Sequence, residues 1–265
     1  GVHTMAKFRR SGVLSSGGDA PGMNATLRAV TNTALANGVE VMGIYGGYSG
    51  LINDNLVKLD GRNVANIISL SGTVIYSDRC LEFKTEEGMA KAIETCRKYN
   101  IDGIVAIGGD GTFRGATDLS ARGIPTIGLP GTIDNDITST DETIGYDTAK
   151  NTLLNILDNL RDTCESHARC DVVEAMGRNA GYIALECAAA SAAVGVVLRE
   201  CPFDEEALMN RIIKMRAEGQ RSFIVVVAEG VENFAEGLTA RIEEKTGVES
   251  RFCRPAHILR GGKPT

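Results

Sequence analysis

Residues 103–116 read Gly-Ile-Val-Ala-Ile-Gly-Gly-Asp-Gly-Thr-Phe-Arg-Gly-Ala (GIVAIGGDGTFRGA). Ile104–Ile107 is an apolar run of strand length; Gly108-Gly109-Asp110-Gly111-Thr112 then interrupts it, and a helical pattern follows to about Ala121. Strand, glycine turn and helix in that order form the repeating half of a parallel sheet. The same grammar recurs on both sides. Upstream, Gly12–Leu14 leads into SSGGDAPGMN (15–24), then a helix from about Asn24 to Asn37 that stops at Gly38. Downstream, a strand over Ile124–Leu129 leads into PGTIDND (130–136).

The pattern predicts further strands at Val39–Tyr45, Asp102–Ile107, Cys170–Glu174, Val194–Leu198, Phe223–Ala228 and Val248–Cys253. It predicts helices over Arg62–Leu70, from a Thr85 cap to about Tyr99, and over Asp147–Leu160 and Asn179–Ala190. Two more run from an Asp204 cap to Ala217 and over Ala235–Lys245. Near-continuous apolar strands alternating with helices imply parallel sheets buried on both faces. The cycle restarts near Thr140–Gly145, so the fold class is α/β: two Rossmann-like domains, each a mainly parallel sheet with helices on both faces. The expected divisions are 1–145, 146–255 and a return segment 256–265. Gly1–Met5 reads as a tag remnant before a natural Met5, which sets His3 aside.

Composition narrows the function classes. Glycine stands at 31 of 265 residues, about 12% against a usual ~7%. That excess suits turns where backbone approaches a ligand. The net charge of −6 argues against coating nucleic acid or an anionic membrane. Any phosphate must be held by local arginines and helix N-termini. No apolar run approaches the ~20 residues of a membrane span. Seven cysteines, an odd number without CxxC spacing, point to free thiols and a cytoplasmic location.

The loops carry the chemistry. Paired glycines in SSGGDAPGMN let backbone N–H groups and a helix N-terminus face an anion, although an ordinary tight turn has the same composition. In GGDGT, Asp110 is a hard oxygen ligand suited to Mg²⁺, against the plainer reading of an Asx turn. No Gly-Lys-Ser/Thr follows, so this is no P-loop, and no GxGxxG opens the chain. In PGTIDND, Asp134 and Asp136 fall on one side of an extended chain beside Thr132. Paired carboxylates there suit phosphoryl transfer, one accepting a hydroxyl proton. Asp134 is expected to be ionised already at neutral pH, so it needs no raised pKa to work.

GVLSSGGDAPGMNATLR, GIVAIGGDGTFRGA, IGLPGTIDNDI and VVEAMGR, in this order from Gly12 to Pro264, resemble the short-chain bacterial type of ATP-dependent 6-phosphofructokinase. The resemblance implies an ATP-binding first domain and a fructose 6-phosphate-binding second domain. It implies a glycolytic kinase that moves the γ-phosphate of MgATP to the sugar's 1-hydroxyl and releases ADP. Gly18 would meet the transferred phosphate, Arg79 and Cys80 the ATP, and Gly109, Asp110, Gly111 and Thr112 the nucleotide phosphates. Asp110 would hold Mg²⁺. Thr132 would meet the sugar or the γ-phosphate, Ile133 and Asp134 the sugar, with Asp134 as the base and Asp136 supporting the metal and its neighbour's charge. Met176, Gly177, Arg178, Glu229, His257 and Arg260 would bind sugar phosphate. Arg169 and Arg251 would reach a neighbouring subunit's site, which implies a homotetramer. Arg28 and Arg161 match effector positions. Gly111 and Gly131 stand where pyrophosphate-using relatives carry Asp and Lys, so two glycines would leave room for ATP.

The chain also departs from that pattern. Ala256 and Leu259 replace Gly and Gln in AHILRGG, and Asn32, Gly61, Val194 and Gln220 replace charged effector residues, which implies weak or altered control by ADP or phosphoenolpyruvate. The family continues past RGGKPT, so residues 256–265 read as a truncated return. Two other classes stay open: a non-catalytic regulatory paralogue, which would bind but not transfer phosphate, and a pyrophosphate-dependent or other sugar-phosphate kinase, which a comparison of donors would reveal.

Overall fold

A computed structural model describes residues 8–265, and the tag-remnant reading of residues 1–5 lies outside them. The chain forms two α/β units. The first comprises the described residues up to Thr132, with Ile137–Gly145 and Lys263–Thr265; the second comprises Ile133–Asp136 and Tyr146–Gly262.

The first unit runs β1 (Arg10–Ser16), α1 (Met23–Ala36), β2 (Glu40–Ile44), α2 (Gly47–Ile52), β3 (Leu56–Leu59), α3 (Glu86–Lys98), β4 (Gly103–Gly108), α4 (Asp110–Ala121), β5 (Thr126–Thr132) and β6 (Ile144–Gly145). Its sheet order is β3-β2-β1-β4-β5-β6, parallel except for β3. Leu14, Ile44, Ile104 and Leu119 are fully or almost fully buried in its core. Each such side chain contributes roughly 1.5–3 kcal/mol through removal from water. Thr85 caps α3, its Oγ1 accepting the Gly88 N–H at 3.0 Å.

The second unit runs α5 (Tyr146–His167), β7 (Cys170–Ala175), α6 (Tyr182–Ala190), β8 (Gly195–Val197), α7 (Glu205–Ala217), β9 (Phe223–Ala228), α8 (Phe234–Thr246) and β10 (Ser250–Cys253). Its sheet is all parallel in the order β10-β7-β9-β8. The central β9 is buried at all six residues, the reason its sequence, FIVVVA, has no polar face. Asp204 caps α7 by accepting the Ala207 N–H at 2.9 Å.

Four expectations need correction. Arg62–Leu70 forms successive turns, because Asp60 and Asn63 bond the local backbone (Asp60 N–H to Asn63 at 2.6 Å, Arg62 N–H to Asp60 at 2.8 Å) and compete with a helix. The glycine-bearing α2 and the antiparallel β3 were not anticipated; both are short, with weak intrinsic signals. α6 begins at Tyr182 because Arg178 is left-handed (φ 56°) and Ala180 N–H closes a turn on the Gly177 carbonyl. β5 is not buried on both faces: the Phe113 ring fills the space over Gly128, whereas Ile127 on the other face is 65% exposed.

Candidate active site

In the first unit, the carboxyl ends of β1 and β4 lie in register, Ser16 opposite Gly108. Thr112, in the first turn of α4, is buried and donates its hydroxyl to the Ser16 carbonyl at 3.0 Å; Tyr48 OH donates to the Thr112 carbonyl at 2.7 Å. A side chain at Gly108 would collide with Thr112 and with the Ser16 carbonyl, so only glycine lets these two turns close together. Gly17 N–H donates to the Asp78 carbonyl at 3.2 Å, and Ser77 Oγ donates to the Gly17 carbonyl at 2.6 Å. These bonds bring Arg79 and Cys80 beside the turn that holds Gly18. A Cβ on Gly109 would touch Thr132 at 3.7 Å, so β5 closes the same set. Gly18, Arg79, Cys80, Gly109, Asp110, Gly111, Thr112 and Thr132 thus share one end of one sheet.

Asp110 opens α4 and pairs with Arg114 at 2.8 Å, both side chains more than half exposed. Around Gly111 there is open space. A half-exposed carboxylate beside glycine backbone fits a small hard cation that takes its other ligands from phosphate and water. No cluster of three metal-ligating side chains occurs among the described residues. The room expected at Gly131 is absent: a side chain there would press on Ile107 at 2.9 Å and Met23 at 3.3 Å, since Gly131 faces the core.

In the second unit, β7 and β9 are neighbours, Ala175 opposite Ala228. Beyond them, Glu229 Oε1 accepts the N–H of Gly177 at 3.1 Å and of Arg178 at 2.6 Å. Gly177 (φ 149°) has no room for a Cβ against the Ala180 carbonyl. The Arg178 guanidinium makes no hydrogen bond to the described residues, so its charge is available to a ligand.

Burial pushes the Asp134 carboxyl up to about 6, reinforced by the negative charges of Asp136 and Glu229 and opposed by Arg178 and Arg260. At neutral pH the group is still mostly ionised, as the sequence reading expects, although it titrates higher than an ordinary carboxylate. The charges of Asp136, Glu229, Arg178 and Arg260 therefore all lie within electrostatic reach of Asp134. Ile133, 4% exposed, anchors the segment. Asn135 is left-handed (φ 53°), so the two aspartates come together through a turn and not along an extended strand.

His257 and Arg260 sit on the short 3-10 helix Ala256–Arg260, which packs on α5 and is pinned by fully buried Leu259. Ala256 holds φ 49°, a conformation that favours glycine. Met176 follows β7 directly and precedes the Gly177–Arg178 turn. Arg169 and Arg251 are elsewhere: both lie at the amino ends of β7 and β10, paired to Glu249 (Arg169 at 3.0 Å). The six residues of β7 put roughly 20 Å between Arg169 and Gly177. Arg28 lies on α1 with its Nε buried and without a hydrogen-bond partner among the described residues, and Arg161 on α5 donates to the Ser191 carbonyl. Sequence reasoning missed Glu174, Asn179 and Arg254, which line a cavity of about 390 Å³ together with Arg178 and Glu229. VVEAMGR contains Glu174, but nothing local marks Arg254.

The phosphofructokinase family profile matches residues 10–265. The ATP-dependent 6-phosphofructokinase 1 of Clostridium perfringens is 51% identical over 258 residues, 97% of this chain and 81% of that protein. The crystal structure of Pichia pastoris phosphofructokinase in the T-state superimposes with a TM-score of 0.91 at 32% identity, over 97% of this chain but 30% of that one. A pyrophosphate-dependent phosphofructokinase from Nitrosospira multiformis shares the fold (TM-score 0.84, 20% identity, 95% of this chain and 70% of that one). The turns at the strand ends and these likenesses agree: the chain belongs to the phosphofructokinase family.

Proposed function

We propose that the chain transfers the γ-phosphate of MgATP to the 1-hydroxyl of fructose 6-phosphate, giving fructose 1,6-bisphosphate and ADP, as a cytoplasmic glycolytic kinase. The observation that carries this reading is the half-buried Asp134 carboxylate, within electrostatic reach of Asp136, Glu229, Arg178 and Arg260. The first unit is the nucleotide unit: Gly18, Arg79, Cys80, Gly109, Gly111 and Thr112 hold ATP through backbone N–H groups and the α4 N-terminus. Asp110 would hold Mg²⁺, which when bound would supply positive charge against the phosphates. The second unit is the sugar unit. Asp134 takes the proton of the 1-hydroxyl as that oxygen bonds to phosphorus and the bond to the ADP oxygen breaks. Asp136 keeps the neighbouring charge balance. Arg178 stabilises the transferring group, and Met176, Gly177, Glu229, His257 and Arg260 hold the sugar and its 6-phosphate. Thr132 and Asp134 stand two residues apart in the sequence, in the segment PGTIDND.

Arg169 and Arg251, remote from the Asp134 cluster of their own unit, serve the site of a second copy in a homotetramer. Arg28 and Arg161 form part of an effector site with weak or altered response to ADP and phosphoenolpyruvate. Val194 there is buried and apolar, and Gln220 is committed to the Ser222 carbonyl at 2.9 Å. The names of the close relatives support ATP as donor. A coupled assay with fructose 6-phosphate, comparing ATP with pyrophosphate, tests the reading. ATP-dependent turnover is expected, and Asp134→Ser should lower kcat by roughly 10²–10⁴. Turnover unchanged in Asp134→Ser would remove Asp134 as the base.

A further inference from the structure

At the carboxyl end of the second unit's sheet, the cavity of about 390 Å³ is walled by Glu174, Glu229 and Glu232 against Arg178 and Arg254. Three carboxylates face two guanidiniums. With Arg178 alone, the wall would carry two net negative charges and would repel a phosphorylated ligand. Arg254 brings that to one net negative charge and places a second guanidinium on the wall beside Arg178.

The geometry of Arg254 is suited to contacting an anion. Arg254 Nε donates to Glu174 Oε1 at 2.6 Å and Nη2 donates to Oε2 at 3.2 Å, a two-pronged pair. Its guanidinium also lies over the Phe252 ring, 5.0 Å from the centroid. Glu174 is almost buried (12% exposed), whereas the Arg254 side chain is half exposed. The fork is thus immobilised on its inner edge, and Nη1 has no partner among the described residues. An arginine fixed in advance loses little freedom on binding phosphate and presents planar donors to it. Glu174 and Arg254 are 80 residues apart and meet only because β7 and β10 are adjacent.

We propose that Arg254 is a specificity-determining residue of the sugar unit, which contacts the anionic group of the sugar phosphate from a position set by Glu174. This rests on the fructose 6-phosphate reading above.

The test is calorimetric titration with fructose 6-phosphate and a coupled assay on wild type, Arg254→Gln, Arg254→Lys and the double variant Glu174→Gln/Arg254→Gln. Arg254→Gln should weaken fructose 6-phosphate binding about tenfold or more, the loss of one charge-assisted bond. KM for the sugar should rise in parallel, with kcat within about twofold and KM for ATP unchanged. Its binding should also depend less steeply on salt than that of wild type, because one ion contact is gone. Arg254→Lys should recover part of the loss, since the charge returns without the fork. If the single variant fails to fold with Glu174 left unpaired, the double variant removes the buried charge as well and should fold while still binding weakly. Wild-type affinity and salt dependence in Arg254→Gln or in the double variant would overturn the role of Arg254 alone. Absence of fructose 6-phosphate binding by wild type would overturn the substrate reading and this inference with it.

Discussion

The Glu229 carboxylate holds the backbone of Arg178 in place: Oε1 accepts the Arg178 N–H at 2.6 Å and the Gly177 N–H at 3.1 Å. Arg178 is left-handed at φ 56°, a conformation costly to a side chain of its size, and these bonds offset that cost. Removing the acceptor should loosen the turn and the guanidinium with it. Glu229→Ala is expected to raise KM for fructose 6-phosphate by more than tenfold, from ~1–3 kcal/mol of lost hydrogen bonding. Glu229→Gln, which keeps an acceptor oxygen, should lose less. Steady-state kinetics on the two variants checks the order.

As the proposed base, Asp134 should set the acid limb of activity. Its carboxyl is raised from an ordinary 3.8 to about 6, and the base must be ionised to accept a proton. kcat/KM for the sugar should therefore be level above pH ~6 and fall about tenfold per unit below it, instead of holding to pH ~4. Linkage gives the opposite sign in stability. Between pH 4 and 6 the folded state binds more protons than the unfolded one, so stability falls as pH rises and stays lower above 6. Asp134→Asn escapes this and should be more stable than wild type at pH 8, by ~3 kcal/mol at most, but not at pH 4. Urea titrations at the two pH values measure it.

Thr112 ties α4 to β1. Thr112→Val preserves shape but leaves the Ser16 carbonyl without its hydroxyl donor at 3.0 Å. A loss of ~1–3 kcal/mol in stability is expected, with weaker ATP binding, because the glycine turns are no longer held together. Denaturation and nucleotide titration of the same variant would show both.

Gly111 and Gly131 should respond oppositely. Gly111 has open space around it, so Gly111→Asp should fold normally and raise KM for ATP by adding a negative charge beside Asp110. Gly131→Ala forces a methyl against Ile107 and should cost roughly 1–3 kcal/mol of stability. Thermal melts with ATP kinetics separate the two.

The elements best read from sequence were those with strong short-range signals. FIVVVA is a central strand because every residue is apolar, and Thr85 and Asp204 cap helices because a short oxygen-bearing side chain reaches an N–H three residues on. The same local logic failed at Arg62–Leu70, where Asp60 and Asn63 offered the backbone other partners, and at Ile127, whose exposure depends on what packs over β5.

The glycine turns, their place after strands and the residue types able to hold phosphate follow from spacing and composition, since turn chemistry acts over a few residues. The raised carboxyl of Asp134 does not. It arises from burial and from Glu229, Arg178 and Arg260, which stand 95, 44 and 126 positions away in the chain. Arg254 likewise acquires its fixed position only when β10 lies beside β7. Electrostatic fields and hydrogen-bond partners are set by distance in space, and only the packed sheets bring those groups within range.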